Sequence, residues 1–160
     1  MKTLNYYEKL LSKHEKIINI YDYADLGGIA KGLYVSSNIG STILIDKRIK
    51  TTKEKHCILA EELGHYYVNV GNIYNQRNLE NIKEEKKGQA WAYKNLLPVH
   101  TLIKAYRNGV RNKFELAEYA NVTEEFIENA ISYYRRKYGC NIKIGSYNIT
   151  LEPNINIMKD

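Results

Sequence analysis

The sequence predicts an α+β protein that is mostly helical, with one β-hairpin placed before its longest helix. Apolar residues recur at helical spacing over residues 4–20, which predicts an amphipathic first helix. The short β-rich runs "LYV" and "TILI" then stand on either side of "SSNIGS", a pattern typical of a hairpin. The closing stretch "CNIKIGSYNITLEP" returns to β-like alternation. The predicted order is therefore helix, hairpin, several helices and a short β segment.

The longest predicted helix has clear start and stop residues. Thr51 is a candidate N-cap, and Glu54 follows it by three residues, which together predict a capping box. The helix is expected to run over residues 51–70, with Gly71 offering a stop.

The second half of the chain is predicted to be a series of helices. After a polar loop at 72–82, a helix over about 82–97 should end before Pro98, because proline cannot continue a helix. The tail after Pro153 is expected to be irregular. The remaining helices are predicted at 99–107, 113–119 and 124–138.

Composition narrows the class of protein without naming a function. The chain has 160 residues, 44% hydrophobic and 26% charged, which suits one globular domain, or one domain with a small appended subdomain. No apolar run approaches the roughly 20 residues of a membrane span, so no membrane association is expected. The net charge of +6 permits contact with nucleic acid or with an acidic protein and does not choose between them.

Localisation is expected to be cytoplasmic. Residues 1–16 are charged throughout and contain no uninterrupted apolar segment of the secretory type. The two cysteines, Cys57 and Cys140, are then expected to be reduced thiols rather than a disulfide. Cys57 is expected to serve in core packing.

The stretch "AEELGHYYV" at 60–68 carries the strongest chemical signal. In an H-E-x-x-H helix the outer residues lie at i and i+4 on one face and bind one metal, while the inner Glu acts as general base. Here the outer positions are Glu61 and His65, and the inner one is Glu62. Glutamate binds zinc through oxygen, so the site is altered but retains three useful groups. The helical glycine Gly64 suggests the close approach of another backbone or of a substrate.

The chain resembles the ImmA/IrrE family of metallo-endopeptidases. The residues that carry the resemblance are "ILAEELGHYY" at 58–67, "WAYKNLLP" at 91–98 and, in general form, the helical segment at 116–134, with the preceding hairpin in its usual place. The resemblance implies a zincin-like fold and a zinc-dependent peptidase. It covers roughly residues 20–140.

The resemblance also implies a third metal ligand on the next helix. Family members usually carry a glutamate ahead of the aromatic-Ala segment, and counting back from Trp91 places Glu85 at that position. Glu84 is the alternative, since a one-residue difference in register would exchange the two. The implied set is therefore Glu61, His65 and Glu85 as metal ligands.

The glutamate at position 61 departs from the family pattern, which has histidine there. A site of one histidine and two carboxylates leaves a divalent zinc ion almost neutral, so a bound water is acidified less. Carboxylate-rich sites also accept harder ions such as Mn²⁺. We therefore expect a metal site that is weaker, slower or less selective for zinc than the usual one.

By resemblance, the expected function is cleavage of a protein partner, a transcriptional repressor of a mobile genetic element. The alternative is a degenerate peptidase fold that binds and sequesters a regulator without cutting it. Tyr66 or Tyr67 is a candidate for stabilising the oxyanion. The expected organisation is a metallopeptidase-like core at 1–98, a helix-turn-helix-like segment packed on it at 99–139, and a short β-like tail at 140–160.

The segment "FELAEYANVTEEFIENAI" at 114–131 has the rhythm of a DNA-reading helix-turn-helix. Its second helix begins with Glu124, Glu125 and Glu128, which would repel DNA phosphates. Packing or docking of a protein partner is thus the favoured role, and any DNA binding is expected to be weak and non-specific.

Overall fold

The computed structural model describes residues 3–69 and 78–160, which divide into two compact units at the boundary between Ala92 and Tyr93. Unit 1 contains α1 (Tyr6–His14), β1 (Asn19–Ala24), β2 (Gly32–Ser37), β3 (Gly40–Asp46), α2 (Thr52–Asn69) and most of α3 (Asn78–Leu96). Unit 2 contains α4 (Val99–Arg107), α5 (Lys113–Ala120), α6 (Glu124–Tyr138), β4 (Asn141–Ile144), β5 (Tyr147–Thr150) and β6 (Asn156–Lys159).

In unit 1, helix α2 packs on a sheet with strand order β1-β3-β2, and α1 packs on α2. Strand β3 pairs with β1 in parallel and with β2 antiparallel, so the predicted hairpin of β2 and β3 is confirmed. The buried core joins α1, the sheet and α2 through Tyr7, Ile18, Ile43, Ile45, Ile58, Leu59 and Leu63. Helix α2 is thus held against the sheet along its apolar side.

The prediction of a first helix over residues 4–20 is wrong in its second half. Asn5 caps α1 in a reciprocal capping box with Glu8, and the helix ends at His14. Residues Asn19–Ala24 form strand β1, in which exposed and half-buried side chains alternate. A period of two and a run of aromatic and β-branched residues favour a strand, and they outweigh the adjacent isoleucines that suggested more helix.

The start of α2 is confirmed, since the N–H of Glu54 donates to Thr51 Oγ1 at 3.2 Å. The predicted stop at Gly71 lies outside the described residues, as does most of the predicted loop at 72–82. Helix α3 already includes residues 78–82, so that part of the loop prediction is wrong. Residues 78–82 read Asn-Leu-Glu-Asn-Ile, and their polar residues suggested a loop, although Leu and Glu are good helix formers.

The three helices of unit 2 are confirmed. Asn112 caps α5 by accepting from the N–H of Glu115 at 2.8 Å, and Thr123 caps α6 by accepting from Phe126 at 3.1 Å. Between them, Asn121 adopts a left-handed conformation with φ of 51°, which makes the turn tight.

The tail prediction is wrong at its end, because Asn156–Lys159 forms strand β6. The antiparallel order is β4-β5-β6, so the last strand completes a sheet. Ile149, Leu151 and Ile157 are buried and explain why this segment is ordered. The division at 98 and 139 stays a prediction, although the segments 99–139 and 140–160 both belong to unit 2.

Within the described part of the chain, none of the helices combines the length and the apolar character needed to cross a membrane.

Candidate metal centre

The candidate site lies on the half-buried side of α2. The helix buries Leu59, Ala60 and Leu63 completely, while Glu61, Glu62 and His65 remain half-buried. Their spacing places them on one side of the helix, so the sequence that packs α2 also leaves these side chains partly accessible.

Two glycines bring α3 close to this side of α2. A Cβ added to Gly64 would lie 2.8 Å from the carbonyl carbon of Gly88, a contact that real side chains do not make. A Cβ on Gly88 would lie 2.7 Å from Nδ1 of His65. The prediction that Gly64 allows close approach of a backbone is confirmed, and the backbone is that of α3. Sequence reasoning missed Gly88, whose signal was an isolated glycine inside a helical pattern.

This crossing places Glu85 beside His65. The His65 Nε2 atom lies 3.2 Å from Glu85 Oε2, and the other carboxylate oxygen accepts from Gln89 Nε2 at 2.9 Å. His65 is only 17% exposed, whereas Glu85 is 54% exposed. Of the two glutamates that the sequence left open, Glu85 therefore meets the histidine.

The separation of these two groups suits a shared metal ion. Ligands bound to tetrahedral zinc at about 2.0–2.1 Å lie roughly 3.3 Å from one another. The observed 3.2 Å between His65 and Glu85 matches that spacing. The pair is therefore compatible with two positions of one coordination shell.

The structure does not bring all three predicted ligands, Glu61, His65 and Glu85, together. Among residues 3–69 and 78–160, the structure groups no three His, Cys, Asp or Glu side chains closely enough to hold a metal. It brings together His65 and Glu85, while Glu61 remains a predicted ligand. Glu61 does act on the site electrostatically, as the neighbouring Glu62 shows.

The Glu62 side chain of α2 lies against strand β2. A Cβ on Gly32 would lie 2.5 Å from Ile58 Cγ2 and 2.7 Å from Glu62 Oε1, so a larger residue there would force the Ile58 and Glu62 side chains to shift. The backbone N–H of Tyr34 donates to the carboxylate. Burial, followed by the charges of Glu61 and Glu85, raises the pKa of Glu62 to about 7. Tyr34 was not singled out from the sequence, because a backbone donor leaves no residue-type signal.

The cluster of Glu61, Glu62, His65 and Glu85 is thus rich in negative charge and partly shielded from water. Carboxylate oxygens and imidazole are donor types that divalent cations accept, and a cation bound by His65 and Glu85 would offset the repulsion among the carboxylates. Glu62, a carboxylate beside such a cation, is placed to act as a proton acceptor.

The two candidate tyrosines are engaged in packing. Tyr67 stacks on Trp91 with ring centroids 5.0 Å apart and meets His14 edge-on at 5.9 Å. Tyr66 packs edge-on against Tyr34 at 6.1 Å. An oxyanion role for Tyr66 or Tyr67 stays a prediction.

A protein-family comparison gives this site its context. Residues 18–132 match the model of peptidase family M78, described as the IrrE N-terminal-like domain. The chain belongs to this family. The M78 match begins just before β1 and ends within α6, so it includes Glu61, Glu62, His65 and Glu85. None of the curated proteins and none of the solved structures compared with the chain matches it.

Membership of peptidase family M78 confirms the resemblance drawn from the motifs and the α+β, zincin-like fold class. It also supports a peptidase-like activity that involves a divalent metal. The glutamate at position 61, in place of the histidine of the family pattern, is therefore a change within a peptidase-type site.

Proposed function

We propose that this chain is a metal-dependent endopeptidase that cleaves a protein partner. The observation that carries the proposal is the 3.2 Å approach of His65 to Glu85 beside the half-buried Glu62, inside a peptidase-family domain. The partner we favour is a repressor-type regulator of a mobile genetic element, so that cleavage would relieve repression.

In this proposal Glu61, His65 and Glu85 hold the ion, with zinc preferred and Mn²⁺ accepted. A bound divalent cation would polarise the scissile carbonyl and make a water more acidic. The remaining chemistry belongs to side chains of the protein.

Glu62 is the proposed general base. Its carboxylate accepts the proton of the attacking water and then delivers it to the nitrogen of the leaving amine. The N–H of Tyr34 fixes the orientation of the carboxylate, and Gly32 leaves room for it. Without a cation the pKa of Glu62 is raised to about 7, and a bound cation would favour the ionised form that accepts the proton.

The proposal is tested with a repressor-type regulator as the candidate substrate. Zinc-loaded protein is expected to convert it into two discrete fragments, identified by mass spectrometry. Glu62→Gln keeps the shape but removes the base, so the rate should fall about 10²–10⁴-fold. Glu84→Gln is the matched control and should cleave at the parent rate. Undiminished cleavage by Glu62→Gln would show that another group is the base.

A binding module is the second candidate, favoured by the carboxylate at position 61. A nearly neutral metal site activates water poorly, so the fold could retain the partner without cutting it. Stable binding of the repressor, without fragments in either Zn²⁺ or Mn²⁺, would support this candidate.

The variant Glu61→His tests how the residue at position 61 affects metal binding and cleavage. It restores the usual ligand set of the family and adds about one positive charge at the ion. We expect it to bind zinc at least as tightly as the parent, and any cleavage should begin at a lower pH. Glu61→Ala should lower metal affinity, and unchanged affinity would exclude Glu61 as a ligand.

A further inference from the structure

Unit 2 contains a cleft of its own. It encloses about 570 Å³, within the range of roughly 300–1,000 Å³ typical of ligand sites. One side is a face of α6, and the others are the turn between α4 and α5 and the loop between β5 and β6. All of its lining residues belong to unit 2, so the cleft is independent of the metal centre in unit 1.

The floor of this cleft is aliphatic. Ile127 and Leu151 are buried beneath it, and Ile131 and Ile155 are half-buried along it. Ile155 also lines a smaller apolar cavity of about 50 Å³, so the apolar surface continues beyond the cleft. A ligand with aliphatic side chains would remove this surface from water.

Among the lining residues, three side chains are cationic (Arg111, Lys113 and Arg135) and one is a carboxylate, Glu128. Two further carboxylates lie beside the rim, Glu115 on the backbone N–H of Arg111 and Glu152 on Arg135. The Arg111 guanidinium donates to the carbonyl oxygens of Tyr106 at 2.7 Å and Val110 at 2.8 Å. These acceptors are uncharged, so the contacts orient the guanidinium without neutralising its charge. The rim therefore favours an acidic ligand.

The other two cations are engaged in exposed ion pairs. Lys113 pairs with Glu128, and Arg135 Nη1 lies 3.3 Å from Glu152 Oε1, with both of these side chains more than 40% exposed. Exposed pairs of this kind contribute little stability. A carboxylate of a ligand can therefore replace Glu128 or Glu152 at small cost.

The cations mark two ends of the cleft. Lys113 meets α6 at Glu128, and Arg135 follows Glu128 by seven residues, which is two turns or about 10 Å along the same helix face. An extended peptide advances about 3.3 Å per residue and points alternate side chains to the same side. Acidic residues four positions apart, about 13 Å, are thus within reach of these two long side chains.

We propose that this cleft binds an extended peptide segment of a partner protein, in which two acidic residues flank a short aliphatic stretch. Asn112, Ser132 and Asn154 also line the cleft, and their amides and hydroxyl can pair with the peptide groups of such a segment. A small carboxylic acid would use only one of the two cationic ends.

The test uses the full chain and a fluorescent peptide, acetyl-Glu-Ile-Val-Leu-Glu-amide, followed by anisotropy at low salt. We expect saturable binding that is at least about tenfold weaker for the same peptide with lysine at both ends. Arg135→Gln and Lys113→Gln should each weaken binding several-fold. Arg107→Gln removes an exposed cation of α4 outside this cleft and should leave binding unchanged.

The proposal is overturned if the parent protein does not bind the peptide, or if the lysine-ended peptide binds equally well. Equal affinity in Arg135→Gln, with folding verified by circular dichroism, also overturns it. Hexanoate that displaces the peptide at equal concentration would show that the cleft takes a small carboxylic acid instead.

Discussion

Two carboxylates of unit 1, Asp46 and Glu62, are both withdrawn from water, but their pKa values are shifted in opposite directions. Asp46 is 2% exposed and accepts from the N–H groups of Arg48 at 2.8 Å and Leu26 at 2.9 Å. The Arg48 guanidinium adds contacts at 3.0 and 3.2 Å. The N–H of Arg48, then that of Leu26 and the guanidinium, lower the pKa of Asp46 in spite of its burial.

Glu62 has one backbone donor, from Tyr34, and two neighbouring carboxylates instead of a cation. Its pKa rises to about 7 for that reason and because of burial. Asp46 therefore stabilises the folded chain by joining the end of β3 to the loop before β2. Glu62 and its neighbours place charge where it opposes folding, which is typical of a functional site.

The largest effect is expected from breaking the helix crossing that builds the Glu62 cluster. Alanine at Gly64 would normally stabilise a helix by about 1 kcal/mol. Here its methyl group meets the backbone of Gly88, so we expect Gly64→Ala to destabilise the protein by about 2–3 kcal/mol. Urea unfolding measures the difference. A more stable variant would mean that α2 and α3 do not cross at these glycines.

The next effect tests whether Glu62 opposes folding. A folded-state pKa raised to about 7 means that its unfavourable contribution is absent below the ordinary carboxylate range and grows as the pH rises to 7. In chelator-treated protein, Glu62→Gln should therefore be more stable than the parent at pH 8, on the order of 1–3 kcal/mol. The two should be nearly equal at pH 4.5.

Urea unfolding at both pH values makes this comparison, and Glu84→Gln on α3 is its control. If Glu62→Gln is less stable than the parent at pH 8, the cluster does not carry the repulsion described here.

A loss of stability of similar size is expected at Tyr134 in unit 2, which serves as a purely structural comparison for Glu62. The buried Tyr134 hydroxyl donates to the carbonyls of Leu97 at 2.8 Å and Tyr93 at 3.2 Å. Tyr134→Phe leaves these carbonyls without that donor and should cost about 1–2 kcal/mol. Metal affinity should not change, and a loss of metal binding in titration calorimetry would contradict the separation of roles.

The smallest effect is expected at the Asp46 network. Arg48→Met removes the guanidinium but keeps both backbone donors, so stability at neutral pH should fall only slightly. Because the pKa of Asp46 is lowered, this difference should persist above the ordinary carboxylate range and vanish as the pH falls through the lowered pKa. Lys50→Met is the control for loss of one charge. A difference that grows in acid would contradict the assignment.

The helices of unit 2 could be predicted because their signals are local. Asn112 and Thr123 cap the helices that follow them, and Val122 and Phe126 are buried nearby, so these helices are set by residues close together in the sequence. Strand β1 could not, because Asn19–Ala24 becomes a strand by pairing with β3, about twenty residues further along the chain. Local pattern does not report a distant partner.

The candidate site, like the fold, could be predicted where it depends on neighbouring residues and not where it depends on a contact between distant ones. The spacing of Glu61, Glu62 and His65 on one helix is a local property, whereas the contact of His65 with Glu85 depends on a crossing set by Gly64 and Gly88. The donor to Glu62 is the backbone N–H of Tyr34, so no side chain in the sequence indicates this contact.

Metal titration tests the central claim, that this helix crossing builds one metal site, most directly. Chelator-stripped protein is titrated with zinc by calorimetry, alongside His65→Ala, Glu85→Gln and the controls His100→Ala and Glu84→Gln. We predict one equivalent of zinc for the parent and both controls, with affinity reduced about 10-fold or more in Glu85→Gln and further in His65→Ala. Equal loss in Glu84→Gln and Glu85→Gln, or unchanged binding in His65→Ala, would contradict the account.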